Sequence, residues 1–224
     1  MNPLIILSIL FSSFITICKA DRDNLQDSCP AAPGKQTIFF NGLPCKNPAD
    51  ISAPDFKTSK VAHPGDTDNF LQSSVTMVTA AEFPGLNTLG LSIGRTDLEV
   101  SGIVMPHSHP RASEMIFINK GLVIAGFVDT QNQLFQKVLH EGDVFVFPRG
   151  LLHFCLNGGY EFATAYSVHN SQNPGVVSIS DANFDPDQNY IKHLLRRIQL
   201  SLSTEEANGL GNFSLAGFSR IYSN

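Results

Sequence analysis

Gly102-Ile103-Val104-Met105-Pro106-His107-Ser108-His109-Pro110-Arg111-Ala112-Ser113-Glu114 is the stretch on which the reading of this chain turns. In extended backbone, side chains two apart project from one face, so His107 and His109 can address a single point together. Glu114 opens the next apolar run, and the turn formers before it let its carboxylate come back to that point. A second stretch reads Gly142-Asp143-Val144-Phe145-Val146-Phe147-Pro148-Arg149-Gly150-Leu151-Leu152-His153. Pro148 and Gly150 predict a tight reversal after a strand, with His153 on the strand that follows. A barrel gathers distant strands around its interior, so the two stretches can supply three imidazoles and one carboxylate to one pocket.

That donor set has a chemical preference. Four protein ligands of mixed nitrogen and oxygen character, with no thiolate, suit a six-coordinate divalent ion that keeps two positions open. Mn(II) or Fe(II) fits, Zn(II) is the next choice, and a closed cysteine-rich zinc site is disfavoured. Affinity order alone would favour copper or zinc, so metal supply during folding also matters. Taken singly, His107 could be a surface residue, and Glu114 could pair with Arg111 or Arg149. His63, His140, His169 and His193 lack comparable surroundings and are expected in solvated or packing roles.

Outward from these blocks, short apolar runs recur between Gly, Pro, Asn and Asp, at 88–93, 114–118, 122–128, 134–139, 144–147, 162–168 and 176–179. Such spacing predicts an all-β barrel or sandwich, here over residues 73–182. Phe145 and Phe147 share one strand face and Val144 and Val146 the other. One face is expected to line the barrel, the other to pack against a second sheet or subunit. Residues 21–72 show little periodicity and many turn formers, which predicts a mostly irregular arm. In residues 183–224 the period changes: Tyr190, Leu194, Leu195 and Ile198 recur at helical spacing, and Ser203 with Glu206 forms a capping box. A C-terminal helical extension is expected there.

The bulk numbers set the compartment. Residues 4–17 form an apolar run, and Cys18-Lys19-Ala20 offers small residues for cleavage after Ala20, so residues 1–20 are read as a secretory signal peptide. The run is shorter than the roughly 20 residues a membrane anchor needs. Export makes a Cys29–Cys45 disulfide the natural pairing and leaves Cys155, between Phe154 and Leu156, as a buried thiol. The 224 residues carry 15 Lys+Arg against 20 Asp+Glu without an extended basic cluster, which excludes nucleic acid as a natural partner. Asn212-Phe213-Ser214 is an acceptor for N-linked sugar.

Together these residues resemble a known family. His107-Ser108-His109-Pro110-Arg111-Ala112-Ser113-Glu114 followed by Gly121 is similar to the first germin box of plant germin-like proteins, within the cupin superfamily. Gly142, Pro148, Gly150, His153 and Asn157 resemble the second box. Cys29 and Cys45 match the family's amino-terminal disulfide, and the stretches 83–90 and 171–175 resemble further family segments. The resemblance implies a Mn(II)-centred cupin β-barrel or jelly roll with C-terminal helices. It also implies secretion to the plant apoplast or cell wall, and homo-oligomers that include hexamers built as trimers of dimers. Oxalate-oxidising members carry two pocket asparagines, and Gly94 and Val104 stand at those positions. Oxalate oxidation is therefore not expected. The resemblance leaves superoxide dismutation, or a non-catalytic extracellular protein that binds a small ligand such as an auxin-like aromatic acid.

Overall fold

The structure is a computed structural model that describes residues 29–31, 42–178, 196 and 198. Among the described residues ten strands run in order: β1 Ser73–Val78, β2 Ser92–Leu98, β3 Ile103–Ser108, β4 Glu114–Lys120, β5 Val123–Val128, β6 Leu134–Leu139, β7 Val144–Phe147, β8 Leu152–Asn157, β9 Ala163–His169 and β10 Val177–Ser178. They form two five-stranded antiparallel sheets, ordered β1-β2-β9-β4-β7 and β10-β3-β8-β5-β6. Alternation along each strand sends one set of side chains inward, so the faces meet in a jelly-roll interior. Leu98, Ile116, Ile118, Val123, Ala125, Phe147, Cys155, Ala163 and Ala165 pack there as one buried cluster.

Most of the expected apolar runs coincide with strands, but one does not. The run at 88–93 becomes a strand only from Ser92, because Thr88 and Gly90 adopt φ of 68° and 66° and turn the chain. Leu89 and Leu91 stay partly exposed, so their hydrophobicity reports no buried strand. The last run is a strand over Val177–Ser178 within the described residues.

The described part of the arm holds short 3-10 turns and one isolated antiparallel bridge, Ala31 with Cys45, and is fastened to the sheets by polar contacts. Cys29 and Cys45 are disulfide-bonded. Buried Asn87 accepts from the Leu43 N–H at 2.8 Å and donates to the Leu43 carbonyl at 2.6 Å. Behind β2, Arg95 pairs with Asp97 at 2.9 Å and donates to the carbonyls of Val61 and Ala62.

Two features lie outside the inner core. On β7 the faces separate: Phe147 is buried, whereas Val144 and Val146 are 52% and 53% exposed. The strand register sets these valines beside Met115 and Phe117 on β4, and Val168 on β9 sits opposite Met115. The result is an apolar outer face on this chain. On the other sheet, Ile198 packs with Ile103, Met105, Ile124, Phe154 and Leu156, and its carbonyl accepts from Gln136 Nε2 at 2.7 Å. Ile198 and Arg196 are both helical, the first buried and the second exposed, and Tyr190, Leu194 and Leu195 of the expected period lie outside the described residues. The signal segment 1–20, the remainder of 183–224, His193 and Asn212 lie outside the described residues.

Candidate metal centre

Backbone geometry decides which side chains enter one end of the sandwich. Val104 on β3 pairs with Cys155 on β8, and His107 pairs with His153, so three residues on β3 span two on β8. This bulge, at Met105-Pro106, resets the alternation so that both Val104 and His107 line the interior. His109 follows two residues later. Glu114 begins β4, where its register partners are Phe147 on β7 and His169 on β9. His153 is the second residue of β8, and the Phe147 ring stacks on it with centroids 4.5 Å apart.

The structure brings the four sequence-selected residues to one place. One potential ligand atom from each of His107, His109, Glu114 and His153 lies within 4.8 Å of all the others. Glu114 Oε2 is 3.2 Å from His109 Nε2 and 3.1 Å from His153 Nε2. His109, Glu114 and His153 are buried. Neither Arg111 nor Arg149 pairs with Glu114: Arg111 donates to Asn173, and Arg149 donates to the Pro110 carbonyl.

Each of the three histidines is held from behind. His107 Nδ1 is 2.9 Å from the Met105 carbonyl, His109 Nδ1 is 2.6 Å from that of Gly175, and His153 Nδ1 is 2.9 Å from that of Leu151. A carbonyl only accepts, so each Nδ1 carries a proton, and each ring turns its Nε2 to the interior, where it offers a lone pair once it holds no second proton. This is the arrangement that orients histidine ligands toward metals. Gly175 reaches His109 from a positive φ of 68°, a conformation that glycine adopts without steric penalty. The Nε2 lone pairs and the Glu114 carboxylate are all acceptors, and acceptors converging this closely repel unless a cation or protons lie between them. His153 Nε2 and Glu114 Oε2 are buried without a hydrogen-bond partner. The residues thus fit a divalent cation in number, type and orientation.

Electrostatics tell the same story. Burial holds the His107 imidazole down to about 4, with neighbouring His153 adding to the effect. Burial also opposes charge on His109, but Glu114 and the Gly175 carbonyl outweigh it and raise that imidazole. For Glu114, burial favours the neutral acid, yet contacts with His109, His153 and His169 hold the carboxyl well below its ordinary value. Cys155 faces the same interior, where burial, and secondarily Glu114, pushes its thiol far up; it is an inert thiol rather than a nucleophile.

The cluster opens into a cavity of about 310 Å³, walled by Leu71, Val75, Met77, Val104 and Val176. Its polar lining beyond the cluster includes the small hydroxyls of Ser73, Thr96 and Ser178. Gly94 and Val104 both line it, so the two positions read as lacking pocket amides do face the site.

Sequence reasoning missed two neighbours, both on β9. Ser167 donates to Glu114 Oε1 at 2.5 Å. His169, expected in a solvated or packing role, is fully buried in the site wall with Nε2 3.5 Å from Glu114 Oε2. The available signal was their spacing of two on one strand, just before the loop that supplies Gly175. Their partner Glu114 lies on another strand, and nothing local reveals that pairing. His63 and His140 are exposed, as expected.

Comparison with known proteins agrees with this architecture. Residues 59–204 match the family model described as Cupin. The chain is 62% identical over 189 residues to "Germin-like protein subfamily 3 member 4" of Arabidopsis thaliana, spanning 84% of this chain and 90% of that protein. It is 57% identical over 180 residues to "Germin-like protein 11-1" of Oryza sativa subsp. japonica, spanning 80% of this chain and 81% of that protein. A recombinant oxalate oxidase solved in complex with glycolate superposes with a TM-score of 0.70 at 33% identity, covering 87% of this chain and 100% of the other. The chain belongs to the cupin family, among the plant germin-like proteins.

Proposed function

We propose that this protein is a secreted manganese-binding germin-like protein of the plant apoplast or cell wall, and that it dismutates superoxide to hydrogen peroxide and oxygen. His107, His109, Glu114 and His153 hold the ion. The observation that carries this reading is the convergence of four acceptors whose three imidazoles are each fixed at Nδ1 by a backbone carbonyl. Mn(II) is favoured over Fe(II) and Zn(II) by the mixed nitrogen and oxygen set, the absence of thiolate, and the kinship with germin-like proteins.

Bound manganese supplies a one-electron couple between its 2+ and 3+ states. The protein's part is to hold, shield and admit. The three imidazoles are preorganised with Nε2 facing the ion's position, and the Glu114 carboxylate offsets part of the ion's charge. The apolar wall disfavours larger polar solutes, while a cavity that also carries the hydroxyls of Ser73 and Ser178 leaves room for a small anion and the protons that peroxide formation consumes.

Oxalate is a poor fit to the same cavity. The oxalate oxidase neighbour is solved with glycolate, a polar acid. Here Gly94 and Val104 offer no side-chain donor, and each missing bond to a charged group forfeits roughly 1.5–3 kcal/mol. Purified, manganese-loaded protein is expected to consume superoxide faster than the same concentration of free Mn(II), and to release no hydrogen peroxide from oxalate. Equal rates with free Mn(II) would remove the dismutase reading.

The apolar walls favour a second reading, a non-catalytic protein that binds a small aromatic acid such as an auxin-like ligand. Saturable, metal-dependent heat with such acids, without superoxide turnover, would select it. The exposed face of Met115, Phe117, Val144, Val146 and Val168 supports assembly into homo-oligomers, with the hexamer as the proposed form.

A further inference from the structure

His169 differs from the three histidines that face the ion's position. Its side chain is fully buried, yet neither ring nitrogen has a hydrogen-bond partner. Buried polar atoms in folded proteins nearly always find partners, so an orphaned imidazole calls for an explanation. No backbone carbonyl ties its Nδ1, whereas carbonyls tie those of His107, His109 and His153. Those three must turn a lone pair inward; His169 alone is free to carry its proton on Nε2. That nitrogen lies 3.5 Å from Glu114 Oε2, a few tenths of an ångström longer than a formed N–H···O hydrogen bond.

The strand register explains the placement. His169 lies opposite Glu114 across the β4–β9 pair, and Ser167 is two residues earlier on the same face of β9. Ser167 donates to Oε1 and His169 approaches Oε2, so one strand brackets both oxygens of the carboxylate. Its ring also meets His109 edge-on, with centroids 4.6 Å apart. Gly94 leaves the space: a Cβ there would already touch His169 Cε1 at 3.8 Å, and a longer side chain would compete with the imidazole.

We propose that His169 is a positioning residue of this centre, whose Nε2–H holds the Glu114 carboxylate in the orientation that serves the ion. The proposal rests on reading the four-residue cluster as a metal centre. His169 is not itself a ligand, because it lacks the carbonyl support that the ligand imidazoles share.

The test uses the full-length, disulfide-bonded protein and Mn(II) alone. Affinity is measured by competition with a chelator, and the bound ion by electron paramagnetic resonance, for wild type, His169→Phe and His169→Gln. Thermal melting of the metal-free forms reports folding, and His169→Leu replaces the phenylalanine variant if that one does not fold. The apolar variant is expected to bind Mn(II) about 10- to 100-fold more weakly, the usual effect of losing a group that orients a ligand, with an altered zero-field splitting. Glutamine, which keeps an N–H donor, restores most of the affinity and the wild-type spectrum. An apolar variant that matches wild type in affinity and spectrum overturns the proposal. So does a glutamine variant that falls as far as the apolar one, since the imidazole would then be needed as a ligand. Wild type that binds no Mn(II) would instead remove the metal-centre reading, a result distinct from either.

Discussion

Replacing Glu114 by glutamine removes one charge from the centre at nearly constant shape. The amide oxygen can still accept from Ser167, which now meets Glu114 Oε1 at 2.5 Å. The amide nitrogen then faces His109 and His153, whose Nε2 atoms lie 3.2 and 3.1 Å from the present Oε2. An N–H₂ group satisfies those two lone pairs but cannot donate electrons to a cation. The variant therefore loses an anionic ligand and also ties up two neutral ones. A single interaction with a charged group contributes about 1.5–3 kcal/mol. Two such losses correspond to a fall of at least a hundredfold in metal affinity, because every 1.4 kcal/mol is tenfold. Metal-free stability should change less than metal affinity, since the variant gives up the histidine contacts that hold the carboxylate ionised but also relieves the burial that opposes its charge. Metal analysis after dialysis against a weak chelator, paired with melting of the metal-free proteins, measures both quantities. An E114Q protein that retains a full equivalent of metal would refute the reasoning.

Metal affinity should fall on acidification, and the sign follows from the histidines. His109 lies above its ordinary 6.5 in the metal-free protein, so below that value a metal must displace its proton. That contribution costs about tenfold in affinity per pH unit. His107, at about 4, joins the competition only near that pH. Affinity that stays level between pH 7 and 5 would contradict this, and isothermal titration at several pH values decides it. Removing the Cys29–Cys45 link as the double Ser variant opens a loop of sequence separation 16 and should destabilise the protein by about 3 kcal/mol on the chain-entropy model, read as a lower melting temperature. Cys155 should resist a thiol reagent in the native protein and react on unfolding, because it is buried with its thiol pushed up. Rapid native labelling would show that the interior opens.

Much of the centre was legible in the chain because its donors sit in two compact blocks. His107 and His109 obey the two-residue period of a strand, and Pro148 with Gly150 announces the reversal that delivers His153. What the chain did not reveal depends on pairing between distant strands. The bulge between Val104 and His107 is defined only against β8, although Pro106 marks its position. Ser167 and His169 gain their roles from lying beside Glu114, a relation set by the register of β9 on β4. The misplaced start of β2 has a different cause. Leu89 and Leu91 look like strand residues, but the left-handed conformations of Thr88 and Gly90 break the extended chain between 88 and 90. The arm is also more firmly held than its composition suggests, since the Arg95–Asp97 pair and Asn87 that anchor it belong to the sheet region rather than to the arm.

The most direct check is crystallographic. Anomalous diffraction from manganese-loaded crystals should show one ion per chain, in contact with Nε2 of His107, His109 and His153 and with the Glu114 carboxylate. A well-occupied ion elsewhere, or protein that crystallises from excess manganese with these four side chains bare, would contradict the account.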